Sequence, residues 1–489
     1  MIKRGAAKRR TSNRPDDFTQ DQSPAAQRPF VINKGATVDA IYVTPDLAQW
    51  ADNPLLVALP RALDKTNAAD RLAREPKYDQ QLRSEPGYIR RLIFHNAMKF
   101  IFFPLDGHLD LHQRLQCAIR VGYADRNPLD LNYEDQLEKR LDKFDQYARS
   151  DRHEMDRSAT TASGFNILGI SGGGKSRGIL RCLHLLPQTI CHSSFRGRNF
   201  TCKQLVWLKL DCPFDGNPRG LCIQFFNTVD AILGTKYRRE FGRNRITDAM
   251  MSDMALIAAN HSLGVLVVDE IQRLSLAKSG GAEKMLNFFV QLVSTIGVPV
   301  VLVGTYKGMA VLSGEFSQIR RGTGQGDMIW DRMENDGQWR FFIESLWRYQ
   351  FVRKNSSPHD HDKKDDTLGD VLYDESQGIV DLAIKLFMFT QERAIETGQE
   401  RMTAGLIRKV AKDKLKIPRQ VLHALRTKNM AVIQRFEDLY PTAFRDYLTQ
   451  QDVAPDIAGK LATSPEVTAI LEEFSNSEPD PIETMEMPR

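Results

Sequence analysis

The stretch that decides the fold is Gly169-Ile170-Ser171-Gly172-Gly173-Gly174-Lys175-Ser176, which matches the phosphate-loop pattern GxxxxGK[ST] at every fixed position. Glycines in such a loop let successive backbone N–H groups close around phosphate oxygens, and the following helix points its positive end at them. A short apolar run at 165–168 precedes the loop, and 177–186 is predicted to form a helix that Pro187 ends. This order of strand, loop and helix is the context that the motif requires. The sequence therefore predicts binding of a nucleoside triphosphate.

Each position of the loop has an expected role. Lys175 is expected to reach the β- and γ-phosphates, and the Ser176 hydroxyl to complete the ligand shell of Mg²⁺. The other predicted nucleotide contacts are Gly169, Ser171, Gly172, Gly173, Gly174 and Arg177. The predicted ligands are thus ATP and Mg²⁺, and a chance Gly-rich loop is the alternative.

Two further apolar runs are predicted to be strands of the same sheet. The first, 265–268, ends in Asp269-Glu270, and an acidic pair at the carboxyl end of a parallel strand lies where open α/β sheets bind ligands. Asp269 is expected to hold Mg²⁺ through water, and Glu270 to polarise the attacking water, which would make the protein an ATPase. The alternative is an acidic helix cap. The second run, 299–303, ends in Gly304-Thr305, so Thr305 is expected to sense the γ-phosphate, although strands commonly end in Gly-Thr.

Alternation of strands and helices across 151–350 predicts a doubly wound parallel sheet. Further predicted elements are a strand at 204–211 and helices at 219–233, 248–260 (capped by Thr247) and 282–296. A charged helix at 133–149 is predicted to face solvent. The predicted organisation is a disordered basic arm at 1–35, an N-terminal accessory region at 36–150, a nucleotide-binding domain at 151–350, a linker at 351–368, a helical lid at 369–430 and an acidic tail at 431–489. The lid rests on amphipathic patterns at 371–397, at 403–415 and from Gln420.

Composition is that of a globular protein outside the membrane. The chain has 489 residues, 42% hydrophobic and 26% charged, and no run approaches 18 apolar residues. The basic N-terminus lacks the apolar segment of a signal peptide, so a cytoplasmic location is expected. Six cysteines show no CxxC spacing. Cys191-His192 with Cys202 and Cys212 can be assembled into a zinc site on paper, but reduced, packed cysteines are favoured.

Charge is concentrated at the two ends and in one internal loop. Residues 3–14 hold six Lys/Arg, and 450–489 hold nine Asp/Glu against two Lys/Arg. The arm is a candidate for contacting nucleic acid and the tail for docking a basic partner, against the alternative of solvated ends. The internal loop contains two aromatic residues interleaved with five basic ones, which are Lys236, Arg238, Arg239, Arg243 and Arg245. Such a loop suits the DNA backbone with little sequence preference, and an exposed loop with no partner is the alternative. Arg320 and Arg321 lie where ring-forming ATPases place an arginine that acts in the neighbouring site, although a surface pair is the alternative.

Longer segments carry a more specific signal than the phosphate loop. They are NPLLVALP at 53–60, GYADRNP at 122–128, GVLVVDEIQRL at 264–274, MLNFF at 285–289, IGVPVVLVG at 296–304, RRGTG at 320–324 and SQGIVDLAIKLF at 376–387. With the loop, they resemble the TnsC family of AAA+ ATPases, the target-selection regulators of bacterial cut-and-paste transposons that use a heteromeric transposase. The resemblance runs from about residue 36 to about residue 430.

This resemblance implies a fold, an activity, partners and a nucleoid-associated location in a bacterium. The fold is a P-loop AAA+ ATPase with a parallel-sheet nucleotide domain, an N-terminal accessory region and a small helical lid. The protein would self-associate into a ring or filament around double-stranded DNA, receive a target-site recognition protein and recruit transposase subunits. The sequence departs from related initiator ATPases in the lid, where Asp381 replaces the arginine of Gly-x-x-Arg, so that sensor is absent or replaced, with Lys385 as the candidate.

Two other functions compete with this interpretation. A replication initiator or loader would usually end in a winged helix, and 431–489 is short and acidic for one. A nucleotide-gated switch for protein–protein contact would bind no DNA.

Overall fold

The computed structural model describes residues 32–149, 162–242, 245–277, 280–314, 324–362 and 364–427. The predictions for Arg243, Arg320, Arg321, most of the basic arm and the acidic tail concern residues outside these ranges. Within the described ranges, no helix combines the length and the apolar character needed to cross a bilayer.

The strands, in chain order, are β1 Thr37–Asp39, β2 Phe165–Gly169, β3 Thr189–Phe195, β4 Arg198–Leu205, β5 Trp207–Asp211, β6 Val265–Asp269, β7 Val300–Gly304, β8 Met328–Trp330, β9 His361–Asp362 and β10 Lys364–Thr367. The helices are α1 Pro54–Val57, α2 Lys65–Leu72, α3 Gly87–Phe100, α4 Asp106–Ala124, α5 Tyr133–Arg149, α6 Lys175–Leu183, α7 Pro218–Leu233, α8 Tyr237–Phe241, α9 Thr247–Asn260, α10 Gly281–Gln291, α11 Lys307–Gly314, α12 Gly337–Trp347, α13 Leu368–Ser376, α14 Val380–Glu396, α15 Ala404–Lys414 and α16 Arg419–Arg426. Short 3₁₀ turns occur at Ala48–Trp50, Gln80–Ser84 and Ile271–Leu276, and a π turn at Leu292–Ile296 extends α10.

The central sheet has the order β5-β6-β7-β2-β8, and every pairing in it is parallel. All five residues of β6 are buried, as expected of a strand covered on both faces. Val265 and Val267 point into a core that includes α4 and α6, whereas Leu266 and Val268 point into a core that includes α7, α9 and α10. This period of two builds a three-layer α/β domain and confirms the predicted fold class.

The strand predicted at 204–211 is two strands. Only β5 enters the central sheet, while β4 folds back on β3 as an antiparallel hairpin that also pairs with β1. The hairpin turns at Arg196 and Gly197, both of which have positive φ, the geometry of a tight two-residue hairpin. The sequence interpretation missed this second sheet because the polar residues of 189–203 do not alternate cleanly with apolar ones.

Two predicted helices also differ from the structure. The pattern at 371–397 forms α13 and α14, because Gln377 and Gly378 both adopt positive φ and end the first helix. Thr247 is the first residue of α9, and its side chain does not cap the helix, since Ile246 occupies the cap position.

Helix α5 does not simply face solvent. Phe144 is 3% exposed, and the partly buried Leu137 and Leu141 pack against the same core beside α9. These residues share one helical face, so α5 buries an apolar stripe and presents its charges outward.

The N-terminal region is packed against both the nucleotide domain and the lid. Helix α4 lies against α6, and α3 lies against α14. A buried ion pair joins Arg90 of α3 to Glu400, with a shortest distance of 2.6 Å between Nη2 and Oε1. Residues 351–368, predicted as linker, include the β9–β10 pair and the buried Ser356, whose backbone N–H donates to Gln350.

Candidate nucleotide-binding site

A cavity of about 370 Å³ lies at the carboxyl ends of the central strands, where open α/β sheets bind ligands. The sequence interpretation placed three of its sides: the loop before α6, the acidic pair after β6 and the end of β7. Helix α14 of the lid forms the fourth side. The lining residues are Ser171, Gly172, Gly174, Lys175, Ser176, Arg177, Asp269, Glu270, Gln272, Gly304, Thr305, Val380, Asp381 and Ile384.

The loop has the backbone geometry that a phosphate cradle needs. Gly172 and Gly174 have φ of 81° and 95°, which residues with a Cβ rarely adopt, and Gly174 is the N-cap of α6. Lys175 is 7% exposed, and its Nζ donates to the carbonyl oxygens of Gly169 and Ile170 at 2.9 and 2.7 Å. The ammonium group is therefore held within the loop, beside the N-terminus of α6, where anionic oxygens are favoured.

Trp330 of the edge strand β8 fixes the loop from beneath. Its Nε1 donates to Gly173 O at 2.9 Å, and its carbonyl accepts from Ile170 N at 3.2 Å. A Cβ on Gly169 would lie 1.8 Å from Trp330 O, so only glycine permits this close approach. His108 of α4 packs edge-on against Trp330, and burial lowers the pKa of His108 to about 4. The sequence interpretation missed Trp330, because a three-residue strand gives almost no periodic signal.

Asp269 is held at both carboxylate oxygens. Oδ2 lies 2.9 Å from Nζ of Lys209, and Oδ1 accepts from Glu270 N at 2.9 Å. Lys209, on β5, also contacts Asp211 at 2.9 Å. Burial acts to lower the pKa of Lys209, but the charges of Asp269 and Asp211 outweigh it and raise that pKa, so the ammonium stays protonated. The sequence signal that could have identified Lys209 is a lone lysine inside an apolar strand, WLKLD.

Gln272 links the predicted catalytic base to the predicted sensor. Its Nε2 donates to Glu270 Oε2 at 2.6 Å, and its Oε1 accepts from Thr305 N at 3.1 Å. Glu270 has φ of 61° and stands at the N-cap of the turn Ile271–Leu276, but its side chain makes no capping bond. The carboxylate instead lines the cavity, which disfavours the alternative of a simple helix cap.

The donor set in the cavity fits a magnesium-bound nucleotide. The hydroxyl of Ser176 and the carboxylate of Asp269 line the same space, and oxygen ligands of this kind are those that Mg²⁺ prefers. The residues present are therefore suitable for ATP with Mg²⁺.

Arg177 lines the cavity, but its guanidinium points away from the loop. Nη2 donates to Lys99 O at 2.7 Å and to Ile101 O at 2.6 Å, and burial lowers the pKa of Arg177. These bonds join α6 to the end of α3, so the guanidinium binds the accessory region and not the phosphate loop.

The lid contributes a carboxylate at the position of the expected sensor arginine. Asp381 N donates to Gly172 O at 3.1 Å, which places the start of α14 directly on the phosphate loop. Lys385 Nζ lies 2.5 Å from Asp381 Oδ2, and both side chains are about half exposed. Lys385 itself does not line the cavity, but its ammonium pairs with Asp381, which does.

Some residues of the predicted DNA-contacting loop pack against the protein, whereas others are exposed to solvent. Its aromatics pack inward: Tyr237 stacks on Phe241, and its hydroxyl lies 2.8 Å from His261 Nε2. Arg245 pairs with Asp253 at 2.9 Å and covers the Phe241 ring.

The cations of this loop differ in exposure. Arg238 is half-buried, whereas Lys236 and Arg239 are exposed. Core packing thus explains the interleaved aromatics, and among the described residues of this loop Lys236 and Arg239 are exposed cations available to a polyanion.

The cysteines do not form a metal centre in the described part of the chain, where no group of three His, Cys, Asp or Glu is arranged to hold a metal. His192 uses both ring nitrogens, with Tyr42 Oη at 3.0 Å and Gln204 Oε1 at 2.9 Å. All six cysteines are free thiols.

The fold is that of a P-loop domain with the AAA+ architecture, and the candidate site lies at its phosphate loop. Residues 159–311 match the family model described as AAA domain. No curated protein is significantly similar to the chain.

Similar solved structures include Cdc6p from Pyrobaculum aerophilum, at 14% identity over 60% of this chain and 70% of that one, with a TM-score of 0.36. The ORC2 protein of Aeropyrum pernix is similar at 14% identity over 73% and 89% of the two chains, with a TM-score of 0.35. RuvB of Thermotoga maritima is similar at 16% identity over 68% and 96%, with a TM-score of 0.29.

Proposed function

We propose that this protein is an ATP-hydrolysing, DNA-binding regulator of DNA transposition. It assembles as an oligomer on target DNA and links a target-site recognition protein to the transposase subunits. The observation that carries the ATPase part is the single cavity that brings Lys175, Asp269, Glu270 and Thr305 together beneath the lid. The transposition part is supported by the resemblance of segments across 36–430 to the TnsC family.

In this mechanism each residue has one role. Lys175 neutralises the β- and γ-phosphates, while Ser176 and Asp269 hold Mg²⁺, whose charge offsets that of the phosphates when bound. Glu270, oriented by Gln272, accepts a proton from the attacking water. The Gln272 side chain bonds both Thr305 N and the Glu270 carboxylate, so loss of the γ-phosphate at Thr305 alters the orientation of the base through this one side chain.

Two substitutions test the ATPase part. Lys175→Ala should abolish ATP binding, since the phosphates lose their main protein cation, and normal ATP affinity in that variant would contradict the assignment. Glu270→Gln should retain ATP binding while turnover slows by about 10²-fold or more, in line with loss of a general base. Turnover at the wild-type rate would show that Glu270 has no catalytic role.

The DNA part is tested by filter binding of random duplex DNA with a non-hydrolysable ATP analogue and with ADP. Binding that requires the analogue supports the proposal, and no binding in either state favours a nucleotide-gated protein switch. The double variant Lys236→Glu/Arg239→Glu should weaken binding to all sequences alike, and the slope of log affinity against log salt should fall by roughly one unit per lost phosphate contact. A matched control, Lys65→Glu/Arg71→Glu, reverses the charge of two exposed cations of α2. An equal loss in both double variants would remove this loop from the interface.

The transposition part requires a reconstituted strand-transfer reaction with the heteromeric transposase. Target DNA preincubated with the protein and ATP should receive more insertions than DNA preincubated with the Lys175→Ala variant. Equal insertion in both would argue for another ATP-dependent DNA process, such as replication initiation.

A further inference from the structure

The lid carries a groove outside the nucleotide site, formed between α13, α15 and α16, with a volume of about 550 Å³. Its floor is apolar and buried: Ala411, Leu415 and Leu422. Its rim is exposed and almost entirely basic: Arg408, Lys412, Arg419, His423 and Arg426. An apolar floor with a cationic rim suits a helix whose own faces are apolar and acidic.

The charge of this surface is not balanced locally. Residues 404–426 contain seven Lys/Arg and one Asp. Arg408 and Arg426 pair with Asp366 and Asp374 at 3.0 and 2.8 Å, but Lys412 and Arg419 form no ion pair with any described residue. Within the described part of the chain, both are therefore exposed cations at the groove without an acidic partner.

An exposed apolar side chain lies in the turn that joins two groove-lining helices. Ile417, between α15 and α16, is 97% exposed, and it stands two positions from Leu415 and two from Arg419, both of which line the groove. It adds exposed apolar surface to this part of the lid, and such surface is typical of interaction sites.

The chain contains a segment with the complementary pattern. Residues 464–474 read SPEVTAILEEF, with apolar side chains at Val467, Ile470, Leu471 and Phe474, the i, i+3, i+4, i+7 spacing of one helical face. Glu466, Glu472 and Glu473 supply three negative charges and no Lys or Arg occurs. Ser464 followed by Pro465 is a helix start signal.

We propose that residues 464–474 dock as an acidic amphipathic helix in the groove of the same chain's lid. The apolar face meets Leu415, Leu422 and Ile417, and the glutamates meet Lys412 and Arg419. The segment begins 37 residues after Thr427, the last described residue, which directly follows the groove residue Arg426. Thirty-seven residues would span roughly 35 Å even at the root-mean-square dimensions of a random coil, which is enough length for the chain to return to the groove.

The DNA backbone fits the groove less well than this segment. The half-buried Glu375 lies in the groove and would face a polyanion laid along the floor. Burial raises the pKa of Glu375, the effect expected of a carboxylate under an apolar surface. The proposed helix instead places apolar side chains next to Glu375 and its own carboxylates at the basic rim of the groove.

The test is carbodiimide cross-linking of the full-length protein, which joins lysine amines to carboxylates in contact, with peptides identified by mass spectrometry. We expect cross-links from Lys412 to Glu466, Glu472 or Glu473. Leu471→Asp should reduce their yield by at least about tenfold, since an apolar anchor becomes a charge. The control Met485→Asp adds the same charge to the tail outside the segment and should leave the yield unchanged. The lid is unaltered in both variants, so its folding is not in question.

Three results would overturn the proposal. They are cross-links from Lys412 only to other acidic residues such as Glu437, equal yields in the two tail variants, and, in a mixture of ¹⁴N and ¹⁵N protein, cross-links only between copies. A groove variant, Arg419→Glu, provides a further check. It should lower the yield to the tail, whereas a loss of DNA affinity with an unchanged yield would assign the surface to DNA.

Discussion

Replacing Lys209 with methionine should destabilise the nucleotide domain strongly, because it leaves the buried carboxylate of Asp269 without its cation. The side chains of Lys209 and Asp269 are 7% and 5% exposed, and their charged atoms lie 2.9 Å apart. At an effective dielectric constant of about 20, their gross attraction is about 6 kcal/mol. Desolvation offsets part of it, and breaking such a pair at one partner typically costs about 3–5 kcal/mol.

Thermal denaturation in EDTA without nucleotide measures this cost, because no metal then substitutes for the ammonium. A loss of about 3 kcal/mol corresponds to a Tm decrease of roughly 6–12 °C for a domain of this size. The double variant Lys209→Met/Asp269→Asn should recover much of the loss, since neither charge is left alone. A cost below about 1 kcal/mol, or strictly additive effects of the two substitutions, would refute the reasoning.

Three further outcomes follow from the site. Gln272→Ala should slow ATP turnover by about 10- to 100-fold with unchanged ATP affinity, because Glu270 loses its orienting donor. Gln272→Glu should slow turnover further, because it places a second carboxylate beside that of Glu270. Equal kcat in the wild type and both variants would exclude a catalytic role for the Gln272 bridge. Trp330→Phe leaves a loop carbonyl without its donor and should weaken nucleotide binding by roughly 5- to 30-fold in a titration, whereas unchanged affinity would make the indole bond incidental. Burial lowers the pKa of His108 in the folded protein from 6.5 to about 4. Between these two pH values the imidazole is protonated in the unfolded state but neutral in the folded state, so the free energy of unfolding decreases as the pH drops from 6.5 towards 4, by on the order of 3 kcal/mol. His108→Asn should flatten that pH dependence of unfolding, whereas substitution of the exposed His359 should not, and parallel pH profiles for wild type and His108→Asn would contradict the argument.

The parts of the site that were predictable from sequence are those encoded by local spacing. The phosphate loop is contiguous, and an apolar run that ends in Asp269-Glu270 identifies itself without knowledge of the fold. The parallel sheet follows from the alternation of strands and helices across 151–350, whereas the order of its strands does not. For the loop and the acidic pair, residues within about ten positions carry the information.

The missed residues act across the chain. Trp330 contacts Gly173 from 157 positions away, and Lys209 meets Asp269 only because β5 and β6 are neighbours in register. Gln272 is near Glu270 in sequence, but its link to Thr305 depends on the end of β7. The break at Gln377-Gly378 carried a glycine signal, yet the amphipathic pattern on either side outweighed it. Pairwise contacts of this kind cannot be read from periodicity.

The pairing of α3 with the lid has a consequence for synthesis of the protein. Arg90 and Glu400 are separated by 310 positions, so at about 5–20 residues per second the lid leaves the ribosome roughly 15–60 s after α3. Throughout that interval, Phe94 and Met98, which end 2% and 4% exposed, have no lid to pack against. An apolar surface that is made early is thus among the last to be covered. A nascent chain halted before residue 380 presents that surface to chaperones, or to other copies of itself.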